Sequence, residues 1–322
     1  MRSPRSGRRR FVVAGAAIAA AATGILIVVA VLARGPSELR ALGRRTVAVI
    51  DPDNGSVVAS REVSGEPGPI VVGHSVAWVA DGENQSILAM SRTTLRVRRT
   101  VSLGTFPYQL ATDGTRVWLG DGFDGTVTSV DPSGATTAPF RPEPRSRARL
   151  ALAYGDGAVW IGSQDGSLSE LDPSDNHTIA VARGIGKPQA LTVGGGAVWI
   201  AQATADEVLR FVPVRPRTLK PIPIGGTPDD LAAGDGSVWA ATSDQGLLWR
   251  IDEQTGAVTA SIDVGPGFSL VAVVAGQVWV ASPAGTVERV DPRRDVVAQT
   301  LDLDGPIGGL AAGDRQLWIS LR

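Results

Sequence analysis

Along most of the chain, short apolar runs rich in Val, Ile, Thr and Trp alternate with polar turns carrying Asp-Gly and Pro. No long 3.6-residue periodicity interrupts them, so the pattern predicts strands joined by tight turns. The stretch "GDGSVWAATSDQGLLWRIDEQTG", residues 234–256, shows one such unit with its flanks. Strand A is predicted at "LAA" (231–233), followed by an Asp-Gly hairpin whose two central residues both tolerate positive φ. Strand B carries Trp239, a polar loop follows, and strand C ends near Asp252. After a further turn, "AVTASIDV" (257–264) forms strand D.

The unit recurs. Seven of the eight tryptophans fall at 78, 118, 160, 199, 239, 279 and 318, at intervals of 39 to 42 residues; Trp249 lies off this register. A second marker, Asp51, Ser91, Asp131, Asp172, Val212, Asp252 and Asp291, keeps the same period. Repeats of this length made of strands predict four-stranded propeller blades, so the fold class is all-β, a seven-bladed β-propeller with one N-terminal transmembrane helix. The aspartate marker comes first and the tryptophan marker last. Residues 46–64 and 306–322 therefore supply the two halves of one split blade, and six continuous blades lie near 67–104, 107–140, 147–184, 188–224, 227–264 and 267–303. Closing the ring in this way removes an exposed sheet edge. One tryptophan per blade is what a seam between blades requires, and the repeated aspartates suit turn capping through their own side chains.

Residues 1–10 form a basic tail with five arginines, and "FVVAGAAIAAAATGILIVVAVLA" (11–33) is an uninterrupted charge-free run. As a helix it spans about 35 Å, enough for the hydrocarbon core. The arginines place the tail in the cytoplasm and the propeller outside, after a linker at 34–45. The expectation is a single-pass cell-membrane protein, anchored through residues 11–33, with an extracytoplasmic domain at 46–322. The alternative is export with cleavage of the segment, since "VLA" at 31–33 has the small-residue spacing of a cleavage site and "RRRFVV" resembles a twin-arginine signal.

Composition narrows the chemistry. There is no cysteine, which excludes disulfides, thiolate metal sites and a cysteine nucleophile. Without the five N-terminal arginines, 26 basic residues face 32 acidic ones, a balance that does not suit nucleic-acid binding. No phosphate-binding Gly-rich loop, paired-histidine zinc motif or nucleophile elbow is present.

Units such as "PDDLAAGDGSVWAATSDQGLLWRIDEQTGAVTASIDVG" resemble those of the YVTN and streptogramin-lyase-like (virginiamycin B lyase) propeller superfamily, and the resemblance covers residues 46–322. It implies the propeller fold. For the lyase members it also implies a histidine, acidic residues and a divalent metal on one face, opening a cyclic depsipeptide. The two histidines of this chain depart from that pattern: His74 falls in an A–B turn and His177 in a C–D turn, on the face opposite the D–A and B–C loops.

Those D–A and B–C loops, around the mouth of the central channel, form the candidate binding face, suited to a polar or cationic ligand. Its D–A positions include Tyr108, Gln109, Gln189, Asp229, Asp230 and Phe268, and its B–C loops include Asp81, Glu83, Asp121, Asp124, Asp206, Glu207 and Asp244. Asp206, Glu207, Asp229 and Asp230 are the candidate ligands for a divalent cation. "DGFDG" (121–125) reads as an ordinary loop, and "RPEPRSRAR" (141–149) as a basic, solvated connector. The functional expectation is a binding or scaffold module for an envelope protein or a small molecule. A metal-dependent lyase-like enzyme and a sensory ectodomain acting through a partner are the alternatives.

Overall fold

The computed structural model describes residues 42–142, 147 and 149–322. The basic tail and the segment at 11–33 lie outside these residues. The described chain forms 27 strands, β1 to β27, grouped into seven sheets. Blade I is β3 to β6 (Pro67–Val72, Val76–Asp81, Ser86–Ser91, Val97–Ser102). Blade II is β7 to β9 (Pro107–Thr112, Val117–Asp121, Val127–Val130). Blade III is β10 to β13 (Leu150–Gly155, Ala158–Ser163, Ser167–Leu171, Thr178–Arg183). Blade IV is β14 to β17 (Pro188–Gly194, Ala197–Gln202, Glu207–Val212, Thr218–Pro223). Blade V is β18 to β21 (Asp230–Gly234, Ser237–Thr242, Leu247–Asp252, Val258–Asp263). Blade VI is β22 to β25 (Leu270–Val274, Gln277–Ala281, Thr286–Asp291, Val296–Asp302).

Blade VII is split as expected. Its order is β2-β1-β27-β26, with β1 (Thr46–Ile50) and β2 (Val57–Glu62) from the start of the domain and β26 (Ile307–Ala312) and β27 (Leu317–Leu321) from its end. The join is antiparallel from Thr46↔Leu321 to Ile50↔Leu317. It packs closely on blade I: a Cβ at Gly309 would lie 2.7 Å from the Gly68 carbonyl oxygen, and Ser320 Oγ donates to that same oxygen at 2.6 Å. Leu42, from the end of the predicted linker, is also buried in the blade VI–VII core.

Every seam has its tryptophan. Trp78, Trp118, Trp160, Trp199, Trp239, Trp279 and Trp318 each sit in a separate core cluster built from two successive blades, the last linking blade VII to blade I. An arginine reinforces three of these seams. Arg116, Arg210 and Arg250 lie over Trp118, Trp199 and Trp239 at 5.8, 5.5 and 5.3 Å, close enough for cation–π attraction. Each also donates to a C–D turn carbonyl of the next blade: Pro173 at 2.8 Å, Glu253 at 3.3 Å and Pro292 at 2.8 Å.

The turns follow their chemistry. Asp156-Gly157 and Asp235-Gly236 adopt positive φ at both residues, the tight hairpin geometry the sequence predicts. Asp113-Gly114 instead belongs to a wider connection in which the Asp113 carboxylate accepts from the Thr115 and Arg116 amides, both at 2.7 Å. The periodic aspartates cap their turns: Asp51, Asp131, Asp172, Asp252 and Asp291 each accept a backbone N–H two or three residues on, at 2.8–2.9 Å. Hydrogen bonds from Ser133, Ser174 and Thr255 hold the carboxyls of Asp131, Asp172 and Asp252 below the usual range.

Blade II differs from the four-strand expectation. It has three strands, and only the isolated bridges Val127↔Phe140 and Val130↔Thr136 stand where strand D would run. The segment "DPSGATTAPF" explains this: Pro132 and Pro139 lack the N–H a ladder needs, and Gly134 turns the chain at φ +86°.

Candidate functional site

In each blade, strand A runs along the central channel, and its register places one aliphatic residue at the same level. Ile70, Leu110, Leu152, Leu191, Leu231, Val271 and Leu310 form this ring, which borders both channel cavities. Above it, towards the D–A and B–C loops, is a chamber of about 240 Å³; below it is a cavity of about 370 Å³. The side chains of Ile70, Leu110, Leu152, Leu191, Leu231 and Val271 are buried in the seams between blades, so the ring marks a level of the channel wall and not an apolar surface open to the lumen.

The chamber gathers part of the predicted site. Tyr108, Gln109 and Asp230 line it, and Gln189 joins it indirectly by donating from Nε2 to Asp229 Oδ1 at 3.3 Å. Asp229 Oδ2 accepts from the Ser243 amide at 2.8 Å. Asp230 accepts through Oδ1 from the Leu231 amide at 2.9 Å and through Oδ2 from the Val271 amide of blade VI at 3.0 Å. The residue borders the lumen and is only half covered, but protein surrounds its carboxyl. Desolvation, opposed by the two amides and increased by the neighbouring Asp229 charge, pushes the Asp230 carboxyl up to about 7.

That shift has a stability sign. The folded state keeps the Asp230 proton to a higher pH than the unfolded chain, so it binds more protons between about pH 4 and 7. The contribution is fully present at the acid end of this window and is lost as pH rises through 7. Relative to Asp230→Asn, the wild-type melting temperature should rise as pH falls from 7 to 5; a constant difference would show that Asp230 is ionised throughout.

Two expectations need correction. Phe268 is 7% exposed and packs in the blade V–VI core with Trp239 and Val271, so it offers no ring to a ligand. The four candidate metal ligands do not form a donor set, since no three His, Asp or Glu side chains among the described residues could hold a metal ion. The reason is local: Asp229 and Asp230 are engaged by the amides above, and Asp206 accepts from Thr227 Oγ1 at 3.1 Å. Glu207 opens strand β16 and is half-buried. Asp81 and Asp121 are likewise buried turn-builders, accepting the amides of Glu66 and Asn84 and of Phe123 and Asp124 respectively.

Sequence reading missed an aromatic patch beside the chamber. Phe106 and Phe123 are 40% and 78% exposed and meet edge to face at 6.0 Å. Phe106 rests on glycines: a Cβ at Gly82 would come within 3.0 Å of its ring, and one at Gly122 within 3.3 Å of the Tyr108 side chain. A cleft of about 180 Å³ runs between Phe106, Tyr108, Pro69 and Arg322. Arg149 stacks over the Tyr108 ring at 4.5 Å. The loop "DGFDG" is thus an ordinary Asx-capped loop in construction, but it carries an exposed aromatic. The aliphatic ring was also passed over, although its positions keep the tryptophan period and so carried a signal; the meeting of Phe106 with Phe123 has no periodic signal. His74 and His177 are both exposed and lie in the A–B and C–D turns, away from chamber and patch.

Neither any protein-family model nor any curated protein matches the sequence. Solved structures match in shape. A streptogramin B lyase superposes with a TM-score of 0.68 at 17% identity, covering 79% of this chain and 90% of its own. A catalytically inactive virginiamycin B lyase from Staphylococcus aureus with quinupristin gives 0.68 at 14% identity, covering 85% and 98%. The WD40 repeats of RRP9 give 0.68 at 14% identity, covering 87% and 98%. At these identities the likeness is one of architecture. The chain has a virginiamycin B lyase-like seven-bladed propeller fold.

Proposed function

We propose that the protein is a membrane-anchored, extracytoplasmic propeller that serves as a binding module, engaging an envelope protein through the face formed by its D–A and B–C loops. The observation that carries this reading is the Phe106–Phe123 pair, two large aromatics left exposed against each other on that face. Rigid exposed aromatics beside arginine are the usual anchors of protein interfaces, and a contiguous apolar patch of this kind marks an interaction surface. Arg149 and Arg322 flank it. The charge-free run at 11–33 after five arginines supports the anchor and the orientation. A lyase-like activity is the weaker reading, because the histidines lie on the far face.

The test uses the full-length chain. It should remain in carbonate-washed membranes and, solubilised in mild detergent, capture a discrete partner from envelope extract. Phe106→Ala/Phe123→Ala should weaken that capture at least about tenfold while leaving the melting temperature within a few degrees, since both rings are exposed. Release by carbonate would overturn the anchor. Undiminished capture by the double variant would overturn the patch.

A further inference from the structure

The face opposite the aromatic patch carries a cavity of its own. It has a volume of about 340 Å³ and is framed by the A–B hairpin, strand C and C–D turn of blade VI, with Gln277, Arg289, Asp291 and Arg293 as its polar side chains. Arg289 stands opposite Trp279 in the ladder, as Arg250 stands opposite Trp239 in blade V. The two arginines are used differently. Arg250 donates from Nε to Ser237 Oγ at 3.0 Å and from Nη1 to the Pro292 carbonyl at 2.8 Å. Arg289 donates from Nη1 to the Asp53 carbonyl of blade VII, but Gln277 stands in the place of the serine and Arg289 Nε is buried with no acceptor. A donor left unmade in this way is costly. The guanidinium edge formed by Nε and Nη2, two parallel N–H groups, has no acceptor from the protein.

The surroundings leave the cavity positive. Arg293 is exposed on its wall. The nearby acids are already engaged: Asp291 Oδ1 accepts from the Arg293 amide at 2.9 Å, its Oδ2 lies 3.8 Å from Arg294 Nε, and Asp295 Oδ1 lies 3.5 Å from Arg250 Nη1. The hairpin contributes an unusual residue. Ala275 holds φ +52° where the equivalent hairpins of blades III, IV and V place Asp156, Gly195 and Asp235. Alanine is strained in this left-handed region, which glycine enters freely and aspartate tolerates through local hydrogen bonds. Relative to Asp156 and Asp235, Ala275 gives up an easier turn and keeps a carboxylate off the cavity wall.

We infer that this cavity binds a carboxylate, held by the Arg289 guanidinium through the donors the protein leaves unused and attracted by Arg293, with the Gln277 amide beside it. The planar fork of an arginine matches the two oxygens of a carboxylate. Asp291 on the wall favours a single negative charge over a more highly charged anion. A free small acid and the C-terminus of a peptide offer the same group. The inference goes beyond the protein-docking reading, since it uses the other face and none of the same residues.

The test uses the full-length protein in nanodiscs of zwitterionic lipid, with empty nanodiscs as the control, at about pH 7, where carboxylates are ionised. Saturation-transfer NMR and calorimetry read the binding. N-acetylalanine should bind saturably, and its C-terminal amide, which keeps the shape without the charge, should not. Tighter binding of N-acetyl-trialanine would assign the carboxylate to a peptide terminus, and equal binding to a free acid; both support the site. Arg289→Lys, which keeps the charge and loses the fork, should weaken binding at least about tenfold. Arg293→Gln should weaken it several-fold and leave the melting temperature unchanged, since that side chain is exposed. Ala275→Asp should relax the hairpin and raise the melting temperature, yet weaken binding at least about tenfold. A purely structural role for these residues would not give that opposed pair of changes. No saturable binding, an amide that binds as tightly as the acid, inorganic phosphate that binds more tightly than N-acetylalanine, or unchanged affinity in Ala275→Asp would each overturn the inference. If Arg289→Lys does not fold, the probe comparison and the other two variants still decide. Partner capture depends on Phe106 and Phe123 and carboxylate binding does not, so either reading can fail alone.

Discussion

Deleting residues 306–322 should abolish the cooperative melt of the whole propeller rather than trim one strand pair from it. The deletion removes β26 and β27, and with them the join from Thr46↔Leu321 to Ile50↔Leu317. Two core clusters lose members at once. The blade VI–VII cluster loses Ile307, Leu317, Ile319 and Leu321, and the blade VII–I cluster loses Ala311 and Trp318. Strand β1, now buried along its whole length, would become an open apolar edge, the kind of template that pairs with other chains. A closed ring also differs from an open solenoid: each blade has two neighbours, so opening one blade removes support on both sides. Calorimetry should show no two-state transition, and near-ultraviolet dichroism should lose its tryptophan signal. A truncated protein that melts cooperatively within a few degrees of the intact one would mean that the ring does not depend on its split blade.

Legibility followed periodicity. The tryptophans recur seven times, the turn marker is aspartate at five of its seven positions, and the split blade completes a repeat, so blade boundaries were readable to within a few residues. The structure departs from the sequence reading where one blade departs from the others. Blade II drops strand D because Pro132, Gly134 and Pro139 fall in one segment, a local backbone effect that the repeat conceals. Phe268 was expected at the channel mouth from its D–A position, but its side chain turns into the V–VI seam, and position in a loop does not fix side-chain direction. The four carboxylates were expected to converge because their loops are neighbours. They take other partners instead, backbone amides at Asp229 and Asp230 and a hydroxyl at Asp206, and no three acidic or histidine side chains among the described residues form a metal-holding group. Phe106 and Phe123 belong to different loops of blade II, and only the folded chain brings their rings together.

Trp239→Ala should destabilise the domain far more than Trp249→Ala, although the two tryptophans are ten residues apart in the same blade. Trp239 is fully buried in the V–VI seam, with Leu248, Ile262, Val271, Val278 and Val280 around it. It also carries Arg250 at 5.3 Å, which reaches on to the Pro292 carbonyl of blade VI at 2.8 Å. Removing the indole leaves a cavity between two rigid sheets that cannot collapse without moving their backbones, and it deprives the arginine of its platform. Truncations of this type cost about 3–5 kcal/mol, or roughly 10 °C in melting temperature for a domain of this size. Trp249 lies on the next strand outward, half-buried against the edge of the IV–V cluster, with its ring over Gly225. Solvent can fill the space it vacates, so about 1 kcal/mol is expected. Trp239→Phe should recover part of the loss, because a smaller ring still occupies the seam, whereas Arg250→Ala should weaken the seam without emptying it. Chemical denaturation of the four variants gives the order directly. Equal losses for Trp239→Ala and Trp249→Ala would mean that the period-forty tryptophans are not the seam residues that close neighbouring blades on each other.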